Sequence, residues 1–417
     1  MFLPQNILLK GTDLMPSVRE LTRFLVPDKL EILSVIRFKR GYLWKLRKKR
    51  TSGEICPKCG RISTVRAGRC KTQVRDESFR GVSLWLEIQK HRYLCKTCKK
   101  SFTESVEGIW PRRRTTQRFR KSLAQMCHNF SSMKNVQDVE QVSSGLLYKV
   151  FYEQLESKLN ERKGIRWPEV LGIDEHFFSR SKGFTEFTTV FTDLKKRKLF
   201  DACEGKSTKA IIEQMQHVPG REEVKIVVMD LSSGYRSFAQ KMFPNAEIVA
   251  DKFHVLRLIT PSLIKAGRQI YGHRQELWLK RLILKNRHKL DYFQRSDLDR
   301  YLNQHENLNE LYRWKEKLHL LFRTKGIGRA RQALFKLIEE MKKSNLEEVQ
   351  RLSRTLQKWR QEILLYFNTG LTNAFTESMN NIAKLVQKRG YGYKSFKNYR
   401  LRLLSACLAW RSWVLHG

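Results

Sequence analysis

The sequence predicts a multidomain chain of α/β and α parts, in which a mixed sheet is covered by helices and interrupted by an all-helical insertion. Three observations predict it. Five short β-rich runs with helical stretches between them occupy residues 165–255, a long basic stretch of helical periodicity follows to residue 370, and six of the eight cysteines fall before residue 130.

Charge narrows the partner. Lys and Arg number 82 against 41 Asp and Glu, a formal excess of +41 that solubility alone does not call for. A polyanion such as double-stranded DNA is the simplest counterpart. There is no run of about 18 apolar residues, and residues 1–10 lack a charged start followed by a long apolar core. A soluble, intracellular protein with no membrane partner is expected. At 417 residues the chain has room for two to four domains, taking about 100 to 200 residues for each.

Residues 30–36 read as a strand running into the basic cluster 45–50, so residues 1–50 form an N-terminal flank. Next come Cys56-Pro57-Lys58-Cys59 and Cys95-Lys96-Thr97-Cys98. Without a secretory signal, paired CxxC units indicate zinc rather than disulfides, because two such knuckles complete a tetrahedral site of four thiolates. With the β-prone stretch 82–93 between them, they predict a zinc ribbon over 51–105 holding one structural Zn²⁺. Cys70, Cys127, Cys203 and Cys407 read as small packed residues.

Trp110-Pro111 then breaks the chain, and Arg112, Arg113 and Arg114 follow. Thr115 or Thr116 caps a helix to residue 129, Ser131 or Ser132 caps a short segment 133–142, and Ser143-Ser144-Gly145 turns into a third helix from 146 to 155. Three helices with a short middle one predict a helix-turn-helix domain over 112–160, although any small helical bundle gives the same pattern. Its candidate DNA-binding residues are Arg112, Arg113, Arg114, Tyr148 and Lys149.

The β-rich region runs as strands 170–174, 187–193 and 199–203, a helix 208–216, a strand 224–230, a helix 234–243 and a strand 246–251. That order is RNase H-like. The region 165–255 is therefore the first part of an RNase H-like domain, 256–370 its helical insertion, and 371–417 its C-terminal part.

Three carboxylates stand out in this frame. Asp174 and Asp230 each end an apolar run, where an acid buried without a partner is costly, and Glu377 lies on a helix-like segment beyond the insertion. Acids at two strand ends and one helix face can hold two Mg²⁺ or Mn²⁺ ions about 3.5 to 4 Å apart, the arrangement of two-metal phosphoryl transfer. Glu377, Asn381 and Lys384 share a helix face at i, i+4 and i+7. Asp251 and His254 share another at a helix start, placed to support the metal site or orient a phosphate. The competing role for Asp230 is to cap the next helix. Asp193 reads as a turn residue, and His176 as a packed or hydrogen-bonded histidine.

The sequence resembles the ISL3-type insertion-sequence transposases of the DDE group. The resemblance rests on the two CxxC units, Val170-Leu171-Gly172-Ile173-Asp174-Glu175, Val228-Met229-Asp230, Asp251-Lys252-Phe253-His254-Val255, and Thr376-Glu377-Ser378-Met379-Asn380-Asn381 with Lys384. It extends to Gly392-Tyr393 and Phe396-Lys397-Asn398-Tyr399. It implies a zinc-binding N-terminal domain, a helix-turn-helix that reads terminal inverted repeats, and a catalytic domain that cuts and joins DNA. On those motifs Asp174, Asp230 and Glu377 correspond to the catalytic acids. Two active sites acting on two DNA ends imply a homodimer or higher oligomer, and a bacterial, nucleoid-associated location follows. The rival is a zinc-ribbon, helix-turn-helix regulator without catalysis, which shares everything but the acids.

Overall fold

The computed structural model describes residues 29–38, 41–49, 51–79, 81–129, 132–160, 164–178, 187–271, 277–390, 392–393 and 395–414. Residues 1–28 of the expected flank and the alternative cap Ser131 lie outside them. The described chain forms two compact units, one up to Ser157 and one from Lys158 onward.

In the first unit, β1 (Leu30–Phe38) and β2 (Gly41–Lys48) form an antiparallel hairpin. β2 runs parallel to β6 (Val82–Cys95), which pairs antiparallel with β5 (Arg66–Phe79) and β7 (Lys100–Thr103). The residues read as a flank and those read as a ribbon thus share one five-stranded sheet. The alternation of β6 explains why it sits at the centre. Leu84, Leu86 and Ile88 point to one buried face, joined there by Leu30, Leu46 and Val74. The small hairpin of β3 (Glu54–Ile55) and β4 (Ile62–Ser63) carries the first CxxC turn between its strands.

Three helices follow in this unit: α1 (Gln117–Asn129), α2 (Met133–Glu140) and α3 (Ser144–Asn160). Thr116 caps α1 by accepting from the Phe119 amide at 3.2 Å, and its hydroxyl donates to Asp76 at 2.6 Å. Ser132 caps α2, whose last turn ends at Gln141 in the left-handed conformation. Phe119, Leu123 and Cys127 on α1, with Leu147, Phe151 and Leu155 on α3, recur at helical spacing and are buried.

The second unit is built on a mixed sheet of order β10-β9-β8-β11-β12. β8 (Val170–Phe177), β9 (Phe187–Asp193) and β10 (Lys198–Glu204) form an antiparallel meander; β11 (Ile226–Met229) and β12 (Glu247–Ala250) join β8 in parallel. Asp193 sits at the β9–β10 turn and accepts from the Lys196 amide at 2.8 Å, so the turn reading of Asp193 matches its position. α4 (Thr208–Met215) and α5 (Ser233–Met242) connect the strands, and α6 (Lys252–Arg257) begins directly after β12.

Helices α7 (Thr260–Tyr271), α8 (Leu277–Leu284), α9 (Tyr292–Gln304), α10 (Glu306–Leu321), α11 (Ile327–Lys342), α12 (Glu347–Lys358) and α13 (Arg360–Thr369) make up the intervening segment. They are not a detached domain. Leu318, Leu337, Leu356 and Ile363 from these helices belong to the same core as Ile173, Phe191 and Met229 from the sheet, and α13 packs on β12. Arg236 on α5 ties the two together, lying 3.9 Å over the Trp359 ring and pairing with Glu362.

α14 (Ala374–Arg389) and α15 (Phe396–Val414) close a second core. Met379, Ala383, Tyr399 and Leu403 pack there against Val190, Leu199 and Ala202 of the sheet. α14 comes so close to β8 that a Cβ on Gly172 would lie 2.4 Å from the Thr376 hydroxyl and 2.5 Å from that of Thr192. Only glycine permits that approach.

Candidate active site

Two parallel strands set the site. The apolar runs of β8 and β11 lie side by side and buried; Asp230 follows the end of β11, whereas Asp174 lies inside β8, one residue past its pairing with β11, because β8 runs on along β9 to Phe177 instead of ending at Asp174. Asp230 does not cap α5; Ser232 does, accepting from the Tyr235 amide. From the next strand along, Asp251 caps α6 through the Phe253 and His254 amides at 3.1 and 3.3 Å.

His254 sits at the centre of the acids. Its Nδ1 is 2.8 Å from Asp230 Oδ1 and 3.1 Å from Asp251 Oδ2. Potential ligand atoms of Asp174, Asp230 and His254 lie within 4.8 Å of one another, and those of Asp251, His254 and Glu377 form a second such group. Asp174 and Glu377 are therefore brought to one site, but they belong to different groups joined through His254.

Electrostatics follow from that crowding. Burial and the charge of Asp230 push the Asp174 carboxyl up to about 7. Burial, then the neighbouring Asp251, also raises Glu377 above the usual carboxylate range. For His254, burial works against the charged form, but Asp230 and Asp251 outweigh it and hold the imidazolium up to about 10. Burial likewise opposes ionisation of Asp251, yet His254 and the Asn373 amide bring its carboxyl below the ordinary value. An imidazole that Asp230 and Asp251 hold toward its cationic form thus lies among four acids.

Two residues that the sequence marks only as part of the Glu377 segment, with no role of their own, hold the frame. Asn380 donates from Nδ2 to Asp174 Oδ2 at 2.7 Å, while the Glu175 amide donates to Asp174 Oδ1 at 2.8 Å. Asn373 is fully buried; its amide donates to Asp251 Oδ1 at 2.8 Å and its side chain to the Ile173 carbonyl at 2.7 Å. Asn381 and Lys384, named in the sequence reading for the Glu377 face, are exposed. Asn380 on α14 comes seven residues after Asn373, the residue that precedes the helix, and that spacing was the available signal. His176 is packed, with Nε2 2.6 Å from the Tyr399 hydroxyl, and burial lowers it to about 4.

The sequence profile of an ISL3-type DDE transposase domain, described as "Transposase", matches residues 171–403 and so takes in all of these acids. The chain belongs to the ISL3 transposase family. A second profile, "zinc-finger of transposase IS204/IS1001/IS1096/IS1165", matches residues 52–98. The chain is also similar to the "Transposase for insertion sequence element IS1001" of Bordetella parapertussis, at 26% identity over 372 residues, covering 84% of this chain and 88% of that one.

The family's zinc ribbon has its four cysteines together: Cys56, Cys59, Cys95 and Cys98 offer sulfurs within 4.8 Å of one another. Each CxxC forms a knuckle of the same kind. The Gly60 amide donates to the Cys56 carbonyl at 2.9 Å and the Lys99 amide to that of Cys95 at 2.8 Å, with Gly60 and Lys99 both in the left-handed region. The Cys98 amide donates to the Cys95 sulfur, which brings that thiol down to about 7. Four sulfurs at that separation fit a tetrahedral Zn²⁺. Cys70 stands apart in β5, opposite Lys90.

The remaining sequence-predicted residues lie in this transposase-family chain's first unit. Arg112, Arg113, Arg114 and Lys149 line a cleft of about 580 Å³ with Trp85 and Arg120. Arg112 and Arg114 are exposed, whereas Arg113 pairs with Glu153 at 3.3 Å. Tyr148 is also exposed and stacks on Tyr152 with ring centroids 6.2 Å apart. No helix among the described residues is long and apolar enough to cross a membrane.

Proposed function

We propose that this chain is a DNA transposase that binds the terminal inverted repeats of its insertion sequence and catalyses Mg²⁺-dependent cleavage and strand transfer. The observation that carries the reading is the meeting of Asp174, Asp230 and Glu377 around one histidine, although 203 positions separate Asp174 from Glu377. The sheet order, antiparallel β10-β9-β8 followed by parallel β11 and β12, supports an RNase H-like catalytic domain of residues 165–255 and 371–417 with 256–370 inserted.

The donor set fits a hard divalent cation. Asp174, Asp230 and Glu377 offer oxygens only, and a cation among them would offset the burial and the charge of Asp230 that disfavour an ionised Asp174. Mg²⁺ or Mn²⁺ held there by these three acids would activate water or a 3′-hydroxyl and neutralise the leaving oxygen. Asn380 fixes the Asp174 carboxylate, and Asn373 fixes Asp251. His254, held by Asp230 and Asp251, supplies a positive charge toward a phosphate, and Lys384 adds another at the rim with Asn381. Arg112, Arg113 and Arg114, with the basic insertion, bind the DNA backbone and position it without reading sequence, and Tyr148 and Lys149 are further DNA contacts of a helix-turn-helix over 112–160 that reads the repeats. The zinc ribbon over 51–105 carries a structural Zn²⁺. A homodimer or higher oligomer in the bacterial cytoplasm, associated with the nucleoid, brings two ends together.

The test is cleavage of DNA carrying the element's ends. Wild-type protein with Mg²⁺ or Mn²⁺ should nick and join it; Asp230→Ala and Glu377→Gln should bind the same DNA and leave it intact. Full activity in Asp230→Ala would refute the assignment, and wild-type binding without any cleavage would favour a non-catalytic regulator.

A further inference from the structure

The Asp251-Lys252-Phe253-His254-Val255 string has a member with no part in holding the acids. Phe253 follows Lys252 at the start of α6 and is 42% exposed, unusual for a phenylalanine whose neighbours Asp251 and His254 are committed to a buried acidic network. One side of its ring is taken by Arg257, whose guanidinium carbon is 3.9 Å from the ring centroid. His254 meets it edge-on, with centroids 6.2 Å apart.

Arg257 links this ring to a cleft. It lines a space of about 730 Å³ with Pro261, Ile264, Lys265, Arg268 and Gln269 of the α6–α7 segment. That volume falls in the range of about 300 to 1,000 Å³ usual for small-ligand sites. The lining contains three cations and no carboxylate; Lys265 also pairs with Glu348 at 3.3 Å. The charge of Arg257 reaches Glu377, whose carboxyl it favours in the ionised form. The cleft, the ring and the acids are therefore neighbours along α6.

We propose that Phe253 and the Arg257-lined cleft hold the nucleotide flanking the scissile phosphate, with the unpaired base stacked on Phe253 and its phosphates on Arg257, Lys265 and Arg268. An aromatic ring accepts any base by its π-face, and cations along the same groove track the backbone without reading sequence. A guanidinium already stacked on the ring presents its remaining N–H groups to a phosphate. Such a site keeps a flanking strand in line with the acids. This rests on the transposase reading for the identity of the ligand.

The experiment uses full-length protein without added magnesium, so that no turnover is needed. The probe is a duplex with a short single-stranded flank carrying 2-aminopurine, and a fully paired duplex serves as control. Binding of the flanked probe should quench 2-aminopurine in wild-type protein. Phe253→Ala should abolish the quench and weaken binding of the flanked probe about tenfold, leaving the paired duplex unchanged. Phe253→Trp should restore the quench, whereas Phe253→Leu, which keeps apolar bulk, should not. Arg257→Ala should reduce the salt dependence of binding. An unchanged quench in Phe253→Ala would overturn the proposal while leaving the catalytic reading intact. Failure of wild-type protein to bind either probe would overturn that reading, and the proposal with it.

Discussion

Asn380 donates its Nδ2 hydrogen to Asp174 Oδ2 at 2.7 Å, joining α14 to β8 across 206 positions of sequence. Both side chains are buried, so the bond fixes the carboxylate rather than merely decorating it. Outer partners of metal-binding carboxylates typically affect affinity or activity by about 10- to 100-fold. Asn380→Ala should therefore lower Mg²⁺-dependent cleavage by that order and raise the Mg²⁺ concentration needed for half-maximal rate. Titration of Mg²⁺ against cleavage rate checks this; an unchanged midpoint would mean that the Glu175 amide alone positions Asp174.

Gly172 provides a separate test of how α14 is placed. A methyl group there would meet Thr376, Thr192 and the Asn373 side chain at 2.4 to 2.8 Å, all on the fixed frame of the site. Gly172→Ala should cost about 1 to 3 kcal/mol in unfolding free energy, the usual penalty of overpacking. Because α14 must move to relieve the clash, catalysis should fall more than stability explains. Denaturant unfolding and cleavage assays on the same preparation separate the two.

How far these contacts were readable depends on whether they are local. The strands β11 and β12 announced themselves because buried parallel strands are continuous apolar runs, and Asp230 and Asp251 mark their ends; β8 runs past Asp174 to Phe177, since its antiparallel partner β9 extends it beyond the apolar run. The β1–β2 hairpin was half hidden: Tyr42 and Trp44 alternate into Lys45, Arg47 and Lys48, so the second strand reads as a basic cluster. On α14, Glu377 pointed the eye to Asn381 and Lys384, which share its face. The residues that reach inward, Asn373 and Asn380, do so because Gly172 lets the helix approach, and that is a tertiary fact. His254 showed its i+3 relation to Asp251, whereas its contact with Asp230 depends on β11 and β12 being neighbours.

Asp174 gives the pH prediction. Its folded-state value of about 7 lies above the ordinary 3.8, so the fold favours the protonated carboxyl. That contribution is present at low pH and is lost as pH rises through about 7, which leaves the magnesium-free protein burdened by a buried charge at alkaline pH. Asp174→Asn removes the titration. Without magnesium, the Tm advantage of Asp174→Asn over wild type should grow from about pH 4 to about pH 7 and level off above that. Added magnesium should shrink it at the upper end, where the wild-type carboxylate is free to bind. A gap independent of pH would show that Asp174 ionises freely in the fold.

The zinc ribbon yields the last prediction. Cys56, Cys59, Cys95 and Cys98 bring their sulfurs together from two knuckles that lie at the ends of different strands, with Cys95 closing β6 and Cys56 following β3. The described first unit has a core of modest size, centred on Leu46, Val74, Leu86 and Ile88, so a four-sulfur metal site should supply a large part of its stability. Cys59→Ser should abolish stoichiometric zinc and lower the melting temperature of the first unit. The acids lie in the other unit, so magnesium-induced stabilisation of that unit should survive. Elemental analysis reads the first effect, and thermal unfolding with and without magnesium reads the second. Retention of one zinc per chain in Cys59→Ser would mean that three of these sulfurs suffice, and loss of both responses would mean that the two units do not fold independently.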